Sequence, residues 1–230
     1  MNHEGIATIL ATGGNAMVKA AYSCGKPALG VGAGNVPAYV EKSANIRQAA
    51  HDIVMSKSFD NGMVCASEQA VIIDKEVYDE FVEEFKSYHT YFVNKKEKAL
   101  LEEFCFGAKA NSKNCAGAKL NPDIVGKPAT WIAEQAGFSV PEDTNILAAE
   151  CKEVGEKEPL TREKLSPVIA VLKSESREDG VEKARQMVEF HGLGHSAAIH
   201  TADEELTKEF GRAVRAIRVI CNSPSTFGGI

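Results

Sequence analysis

Residues 8–23 read TILATGGNAMVKAAYS and predict a strand, a glycine turn and a helix in immediate succession. Residues 8–11 are a short apolar run typical of a buried strand, and Gly13 and Gly14 mark a turn. Residues 16–23 then place apolar side chains at helical spacing. The same alternation recurs along the whole chain, and it predicts an α/β fold with a largely parallel sheet.

The later elements follow the same order. Predicted strands cover 28–31, 38–40, 70–73, 146–149, 168–172, 196–200 and 218–220, and predicted helices cover 45–56, 76–87, 95–104, 129–136, 178–190 and 204–216. Ser43 or Asn45 is expected to cap the helix that starts near residue 45. Residues 106–125 are rich in glycine, asparagine, alanine and lysine, and we expect them to form a long loop.

Composition indicates a globular protein and argues against two classes of partner. The 230 residues are 44% hydrophobic and 25% charged, which is enough apolar sequence to bury a core. The 26 basic and 32 acidic residues are interspersed and sum to a net charge of −6. Neither nucleic acid nor an anionic membrane is therefore expected as a partner.

Cysteine usage indicates a reducing compartment. The six cysteines, at positions 24, 65, 105, 115, 151 and 221, form no Cys-x-x-Cys pair. The N-terminal residues do not resemble a cleavable signal, and no apolar run is long enough to span a bilayer. We expect reduced thiols and a cytoplasmic protein, with three disulfides as the alternative that an even count allows.

Cys65 lies in the segment FDNGMVCASEQ, residues 59–69, after an Asn-Gly turn and before a β-rich run. A thiol at a loop end near backbone N–H groups can be held as the reactive thiolate, so this placement predicts a nucleophile. The alternative is a cysteine that only fills the core, which is the more frequent use of an isolated cysteine.

Two glycine segments are candidates for contact with a ligand. Residues 30–35, GVGAGN, nearly match the dinucleotide fingerprint, but Asn35 occupies the sixth position and an extended segment follows instead of a helix. We expect these glycines to allow close approach of the backbone to a ligand or a strand. The turn at residues 12–15 is the better phosphate candidate because it leads into a helix, although a plain loop explains it equally well.

His191 and His195 have a spacing compatible with metal ligands. Gly192 and Gly194 lie in the same short segment, so the two histidines are not expected to share a helical face, and no third ligand is close in sequence. No metal site is predicted.

Residues 8–14, 23–35 and 59–69 together resemble the aldehyde dehydrogenase superfamily, and more narrowly the CoA-acylating domain of bifunctional aldehyde-alcohol dehydrogenases. The segments EKLSPV at 163–168 and GLGHSA at 192–197 extend the resemblance over nearly the full chain. It implies a Rossmann-like catalytic domain with a parallel sheet and the remaining part of the cofactor-binding domain. The implied reaction converts a small aldehyde, acetaldehyde above all, with NAD and CoA into acyl-CoA and NADH.

The resemblance also implies roles for individual residues. Cys65 matches the nucleophile that becomes a thioester, and Glu163 matches the glutamate that holds the ribose next to the nicotinamide. Leu165 stands where the superfamily has an aromatic residue, so the sequence departs from the family pattern at that cofactor contact. His195 matches a histidine of the acylating branch that could act as acid or base toward the CoA thiol, with a capping or core role as an equal alternative. The other positions assigned to the cofactor are Thr12, Gly13, Gly14 and Gly32.

Gly30 stands where hydrolytic superfamily members carry the glutamate that activates water. Without that base the thioester is expected to persist until a thiol attacks it, since loss of a general base costs about 10²–10⁴ in rate. The resemblance therefore favours acyl-CoA as product over the free acid of a hydrolytic aldehyde dehydrogenase.

By the same resemblance, residues 1–60 are part of a dinucleotide-binding domain, residues 61–222 form the catalytic domain, and residues 223–230 start a C-terminal return segment. The first half of the cofactor sheet and an oxyanion-binding asparagine have no counterpart here, so we expect a piece of a longer chain with little turnover by itself. A homo-oligomer and fusion to an iron-dependent alcohol dehydrogenase domain are further implications. A non-catalytic folding or assembly unit is the alternative.

Overall fold

The computed structural model describes residues 1–107 and 119–229, and strands and helices alternate through them. In chain order the elements are β1 (Ile9–Thr12), α1 (Asn15–Tyr22), β2 (Ala28–Val31), β3 (Val36–Val40), α2 (Ile46–Ser58), β4 (Glu68–Asp74), α3 (Tyr78–Ser87), β5 (Thr90–Phe92), α4 (Lys95–Phe106), α5 (Ala129–Ala136), β6 (Ile146–Cys151), β7 (Val168–Ser174), α6 (Arg177–Glu189), β8 (Ser196–His200), α7 (Glu204–Ala213) and β9 (Arg218–Cys221).

Seven of these strands form one parallel sheet in the order β5-β6-β7-β4-β3-β8-β9. The central strand β4 pairs with β3 on one side and β7 on the other, and each of its residues is buried. A strand that is apolar on both faces is typical of a parallel sheet covered by helices on both sides. The predicted α/β class and parallel sheet are confirmed.

Each face of this sheet has its own core, because alternate strand residues point to opposite faces. Ala70 and Ile72 of β4 pack in one cluster with side chains of α4, α5, α6 and α7. Val71 and Ile73 pack in the other cluster with side chains of α2 and α3. The larger sheet is therefore wound with helices on both sides.

β1 and β2 form a separate two-stranded parallel sheet in which Thr12 lies opposite Val31. Leu10 and Leu29 in this small sheet are 78% and 67% exposed. The chain changes sheet between Val31 and Val36, so residues 36–60 contribute to the larger sheet. The division into domains at residue 60 stays a prediction, but strand pairing changes well before that point.

Helix ends follow local sequence signals. The Asn45 side chain accepts a hydrogen bond of 3.1 Å from the Gln48 N–H, so Asn45 caps α2, one of the two residues predicted for this role. Helix α5 ends at Gly137, whose φ of 95° lies in the left-handed region that glycine adopts without strain.

Two segments differ from expectation or fall outside the described residues. The three-residue strand β5 was not predicted, because three residues are too few to show an alternating pattern. Of the long loop predicted at 106–125, residues 108–118, with Cys115, lie outside the described residues, and Pro122–Ile124 form a 3₁₀ turn. No helix in the described part of the chain is long and apolar enough to cross a membrane.

Candidate active site

The predicted catalytic residues come together at the amino ends of four adjacent strands. In the sheet order β7-β4-β3-β8, Glu163 precedes β7, Cys65 precedes β4, Gly34 precedes β3 and His195 precedes β8. Because the four strands are parallel and neighbouring, these segments share one edge of the sheet. Gly34 and His195, which are 161 positions apart in sequence, are thereby placed in one site.

The loop that carries Cys65 has an unusual backbone. Asp60, Asn61 and Gly62 all have positive φ values, of 48°, 50° and 68°. A Cβ on Gly62 would lie 2.6 Å from the Ser166 carbonyl oxygen, so only glycine fits there. The Asn61 amide donates to the Gly126 carbonyl at 3.1 Å, which ties the loop to a distant segment. The Asn-Gly turn therefore places a half-buried Cys65 in a defined position.

Gly34 lies against the other members of the site. A Cβ at this position would be 2.8 Å from the Cys65 carbonyl oxygen and 2.9 Å from His195 Nδ1. The Gly34 N–H donates to Glu163 Oε1 at 3.1 Å. The close backbone approach predicted for the glycine segment occurs here, with Cys65, His195 and Glu163 around one residue.

Glu163 is a partly buried carboxylate above two buried lysines. Burial raises its pKa, while the Gly34 N–H and the charges of Lys57 and Lys164 act in the opposite direction. The Lys164 ammonium donates to the carbonyl oxygens of Gln69, Leu160 and Arg162, at 3.1, 2.6 and 2.7 Å. Lys164 thereby fastens the Glu163 segment to the first residues of β4.

His195 is buried, with 4% of its surface exposed. Its Nδ1 lies 3.0 Å from Ser196 Oγ, which in turn receives hydrogen bonds from Arg218. Burial lowers the pKa of His195, and the positive charge of Arg218 lowers it further. His195 is therefore held as a neutral imidazole near neutral pH.

Asn35 organises the site and was not singled out for this role from the sequence. Its side-chain amide donates to the carbonyl oxygens of Thr161, Met187 and Phe190, at 2.9, 2.9 and 2.7 Å. One side chain thus joins the segments that precede β3, β7 and β8. In the sequence, Asn35 is marked only by its position directly after a glycine run. That position does not reveal hydrogen-bond partners about 150 residues away.

The residues assigned to the cofactor form a second group at the carboxyl end of the small sheet. Thr12 ends β1, the Gly13 N–H donates to the Val31 carbonyl at 3.1 Å, and Gly32 follows directly on β2. Gly14 stands at the N-cap of α1 without a side-chain hydrogen bond to the first turn. Residues 32–35 connect this group to the one around Gly34.

Gly30 has a packing role of its own. A Cβ there would lie 2.7 Å from Val18 Cγ1 and 3.0 Å from Tyr22 Cε2, both on α1. A glutamate at this position would therefore collide with the helix as it is placed here. The position next to the Cys65 peptide is Gly34, which also carries no carboxylate.

The other described cysteines differ from Cys65. Cys105 and Cys151 are buried, and burial raises the pKa of each thiol to about 12. Partial burial also raises the pKa of the exposed Cys221. The Cys24 thiol donates to the Ala21 carbonyl at 3.0 Å. None of these four precedes a strand at the shared amino edge.

A cavity of about 1150 Å³ lies away from this edge and includes Glu150, Cys151 and Lys173 near the carboxyl ends of β6 and β7. Several of its charged groups have partners within it or beside it. Lys98 pairs with Glu158, Lys183 pairs with Asp179, and Lys173 lies over the Tyr78 ring. Cys65, Glu163 and His195 lie elsewhere, at the amino ends of the strands of the larger sheet.

Comparison with known proteins identifies the family of the chain. The profile of the aldehyde dehydrogenase family matches residues 1–229. An aldehyde-alcohol dehydrogenase of Streptococcus pneumoniae serotype 4 is 94% identical over the whole chain, which spans 26% of that protein. An acetylating aldehyde dehydrogenase of Geobacillus thermoglucosidasius superposes with a TM-score of 0.91 at 43% identity, covering 100% of this chain and 49% of that one.

A propionaldehyde dehydrogenase of Rhodopseudomonas palustris, solved with bound CoA and an acylated cysteine, superposes with a TM-score of 0.85 at 29% identity. The match covers 99% of this chain and 49% of that one. The chain thus spans about a quarter to a half of the length of these relatives. Profile, sequence and fold agree: the chain belongs to the aldehyde dehydrogenase family.

Proposed function

We propose that Cys65, Glu163 and His195 form the active site of an NAD-dependent, CoA-acylating aldehyde dehydrogenase acting on a small aldehyde such as acetaldehyde. The observation that carries the proposal is the meeting of the Cys65 peptide, the Glu163 carboxylate and the neutral His195 imidazole around Gly34. The relatives support the acylating reaction, since one is called acetylating and another was solved with CoA and an acylated cysteine.

The residues present fit a dinucleotide. Gly14 begins α1 without a side-chain cap, so its first-turn N–H groups are available to a phosphate. Glu163 has Oε1 bound to the Gly34 N–H, which orients the carboxylate and leaves Oε2 to accept from ribose hydroxyls. When bound, NAD supplies the acceptor for the hydrogen and electron pair that leave the aldehyde carbon.

Cys65 carries the acyl group through the reaction. Its thiolate adds to the aldehyde carbonyl carbon, so a carbon–sulfur bond forms and the carbonyl electron pair moves to oxygen. After oxidation at that carbon the acyl group is a Cys65 thioester. The CoA thiolate then adds to the thioester carbonyl, the bond to Cys65 Sγ breaks, and acyl-CoA leaves while Cys65 is restored as thiolate.

The lack of a carboxylate at Gly34 and Gly30 supports thiol transfer over hydrolysis. Water needs a general base to compete with a thiol. Gly34 and Gly30 supply none, and the Glu163 carboxylate beside Gly34 is assigned to the ribose of the cofactor. His195 is the remaining polar group beside Gly34, and we assign it to the transfer of the acyl group from Cys65 to CoA.

The test uses the proposed longer polypeptide that contains these 230 residues, called here the full-length chain. It measures NADH formation after addition of acetaldehyde and NAD. Without CoA we expect at most one NADH per active site, followed by a stall as the Cys65 thioester, and CoA should restart turnover. Cys65→Ser should give no burst, and His195→Ala should slow the CoA-dependent step more than the burst. Sustained NADH production with release of acetate in the absence of CoA would instead identify a hydrolytic enzyme.

The proposal also includes a further domain in the same polypeptide and the oligomeric state of the protein. Because the 94% identical relative is an aldehyde-alcohol dehydrogenase of which this chain spans 26%, we propose that an alcohol dehydrogenase domain follows in the same polypeptide. In the reverse direction, such a chain would reduce acyl-CoA to the aldehyde and the aldehyde to the alcohol. We also propose a homo-oligomer in the cytoplasm, which size measurement of the full-length protein would test.

A further inference from the structure

Ser196 Oγ is surrounded by three nitrogen atoms. Arg218 Nε and Nη2 donate to it at 3.1 and 2.8 Å, and His195 Nδ1 lies at 3.0 Å. Arg218 is held in place by a further hydrogen bond from Nη1 to the Gly228 carbonyl. Ser196 is 1% exposed, so water does not compete for its hydroxyl.

The hydrogen atoms of the Ser196, His195 and Arg218 side chains decide which of them donates and which accepts. A serine hydroxyl has one hydrogen to donate and two lone pairs to accept with, and a guanidinium only donates. The two Arg218 N–H groups therefore use the acceptor capacity of Ser196 Oγ. Within the described residues the hydroxyl hydrogen has one acceptor, His195 Nδ1. Nδ1 consequently carries no hydrogen, and the neutral imidazole carries it on Nε2.

We propose that Ser196 and Arg218 are positioning residues that hold His195 in its Nε2–H tautomer, so that His195 donates a hydrogen bond to the reacting acyl group instead of accepting the proton of the CoA thiol. This proposal rests on the proposed function, because it specifies how His195 serves the transfer step. It differs from the acid or base role that the family resemblance implies for this histidine.

The packing around the ring supports a fixed tautomer. Gly34 lies against Nδ1 and Cγ, and any side chain there would displace the imidazole. Protonation of Nδ1 would place a third donor against Ser196 Oγ and a positive charge beside Arg218. The charged and titratable groups of the surrounding segments are Arg218, Glu163 and Cys65. Glu163 is engaged by the Gly34 N–H, and Cys65 carries no charge once it is acylated.

The chemistry of the transfer step is balanced without a proton acceptor on His195. The CoA thiol ionises to solvent, and its thiolate adds to the thioester carbonyl carbon. Nε2–H then stabilises the negative charge that develops on the carbonyl oxygen, as a donor of an oxyanion site does. When the carbonyl re-forms, the Cys65 thiolate leaves and acyl-CoA is released.

The first experiment measures single-turnover transfer to CoA in the full-length acyl-enzyme, prepared with acetaldehyde and NAD. In His195→Gln, the side-chain amide can donate from near the place of Nε2, and we expect a rate within about 10-fold of wild type. In His195→Asn, whose shorter amide does not reach that place, and in His195→Ala, we expect a loss of about 10²–10³-fold. A glutamine variant as slow as the alanine variant would overturn the proposal.

The pH dependence of the rate of acyl transfer to CoA distinguishes His195 as a hydrogen-bond donor from His195 as a general base. A donor at Nε2 acts in both protonation states, so the wild-type rate should rise only with ionisation of the CoA thiol. A base would add an acid limb whose midpoint is the histidine pKa and which is absent from His195→Gln. Finding that limb in the wild type and its loss in the variant would overturn the proposal.

The second experiment observes the tautomer directly. In full-length chain labelled with ¹⁵N-histidine, the signal lost in His195→Gln should show hydrogen on Nε2 and a bare Nδ1 in the wild type. Ser196→Ala should give a mixture of tautomers, while Ser196→Thr, which keeps the hydroxyl, should restore the wild-type signature. Hydrogen on Nδ1 in the wild type would overturn the proposal. If His195→Gln does not fold, loss of the signal in His195→Asn identifies it instead.

These outcomes are separable from failure of the proposed function. If the wild type makes no CoA-dependent NADH, or if Cys65→Ser retains the burst, the acylating function itself fails. If the burst and the CoA requirement hold while His195→Gln behaves as His195→Ala, only the donor role fails.

Discussion

At Gly34 the chain has a hydrogen atom where any other residue would have a Cβ, and that hydrogen faces the peptide of Cys65, the proposed nucleophile. The Cys65 carbonyl and the His195 ring both approach this side of the residue. The glycine is needed for space, since its φ is not in the left-handed region. At the residue scale, the site therefore depends on the absence of a side chain as much as on the thiol.

Gly34→Ala should reduce thioester formation by about 10-fold to 10²-fold, because the new Cβ must displace Cys65 or His195 by several tenths of an ångström. The burst of NADH with acetaldehyde and NAD measures this. Gly211→Ala is the matched control, because Gly211 lies in α7 with open space around it. That control should keep full activity and gain about 0.5–1 kcal/mol of stability. An unchanged burst in Gly34→Ala would contradict the packing argument.

Cys65 should react first with limiting iodoacetamide, and its modification should abolish activity. Cys105 and Cys151 are buried with a raised pKa, and Cys221, although exposed, also has a raised thiol pKa. Peptide mass spectrometry identifies the labelled positions, including Cys115. Cys221→Ser should leave the inactivation rate unchanged. Label at Cys105 or Cys115 in active enzyme, with Cys65 unmodified, would contradict the assignment.

At the scale of elements, the sequence predicts the strands and helices that have a periodic apolar pattern. It does not predict the contacts between elements that are distant in sequence. Strands β2 and β8 and helix α5 have the predicted bounds. Helix α7 ends at Ala213 instead of 216, since Arg215 adopts a φ of 55° that stops the helix. The Arg218 partnership with Ser196 and the Asn35 bonds to α6 join separate elements, so no local pattern reveals them.

His200, the last residue of β8, should contribute a loss of stability in acid. It is 2% exposed, and burial lowers its pKa to about 4 from an ordinary value of 6.5. Between these values the unfolded chain binds more protons than the folded one, so stability falls as pH decreases through that window. From pH 7 to pH 5 this loss amounts to about 2 kcal/mol.

Urea unfolding of wild type and His200→Gln at the two pH values measures this contribution as the difference between their pH dependences. The comparison is needed because burial raises the pKa of Glu68 to about 7, which acts in the opposite direction over the same window. His3→Gln, at an exposed histidine near the N-terminus, should leave the pH dependence unchanged. Equal pH dependence in wild type and His200→Gln would show that another buried group is responsible.

At the scale of the whole molecule, the described residues form two sheets that differ in burial and in strand pairing. In the larger sheet the central strand β4 is buried throughout and is paired on both sides. In the small sheet, β1 and β2 each have one neighbouring strand and exposed side chains. Two strands by themselves are marginally stable in water, whereas a covered sheet opens only with global unfolding.

Amide hydrogen exchange of the 230-residue chain should therefore divide between the two sheets. Amides of β4 and β3 should exchange slowest, and those of β1 and β2 should exchange at least about 100-fold faster. Mass spectrometry of peptides covering 8–31 and 36–74 measures both sets in one sample. Equal protection of the two sets would contradict the difference in stability.

The four residues between β2 and β3 also limit how such a protein can be recombined. Gly32 to Asn35 can span at most about 14 Å when fully extended, and Asn35 is fastened to three carbonyl oxygens. An insertion or deletion of one residue here would shift β3 by one side-chain step and exchange the side chains that face its two cores. In a library that exchanges cofactor halves between homologues, crossovers on either side of this connection can succeed only when its length is preserved.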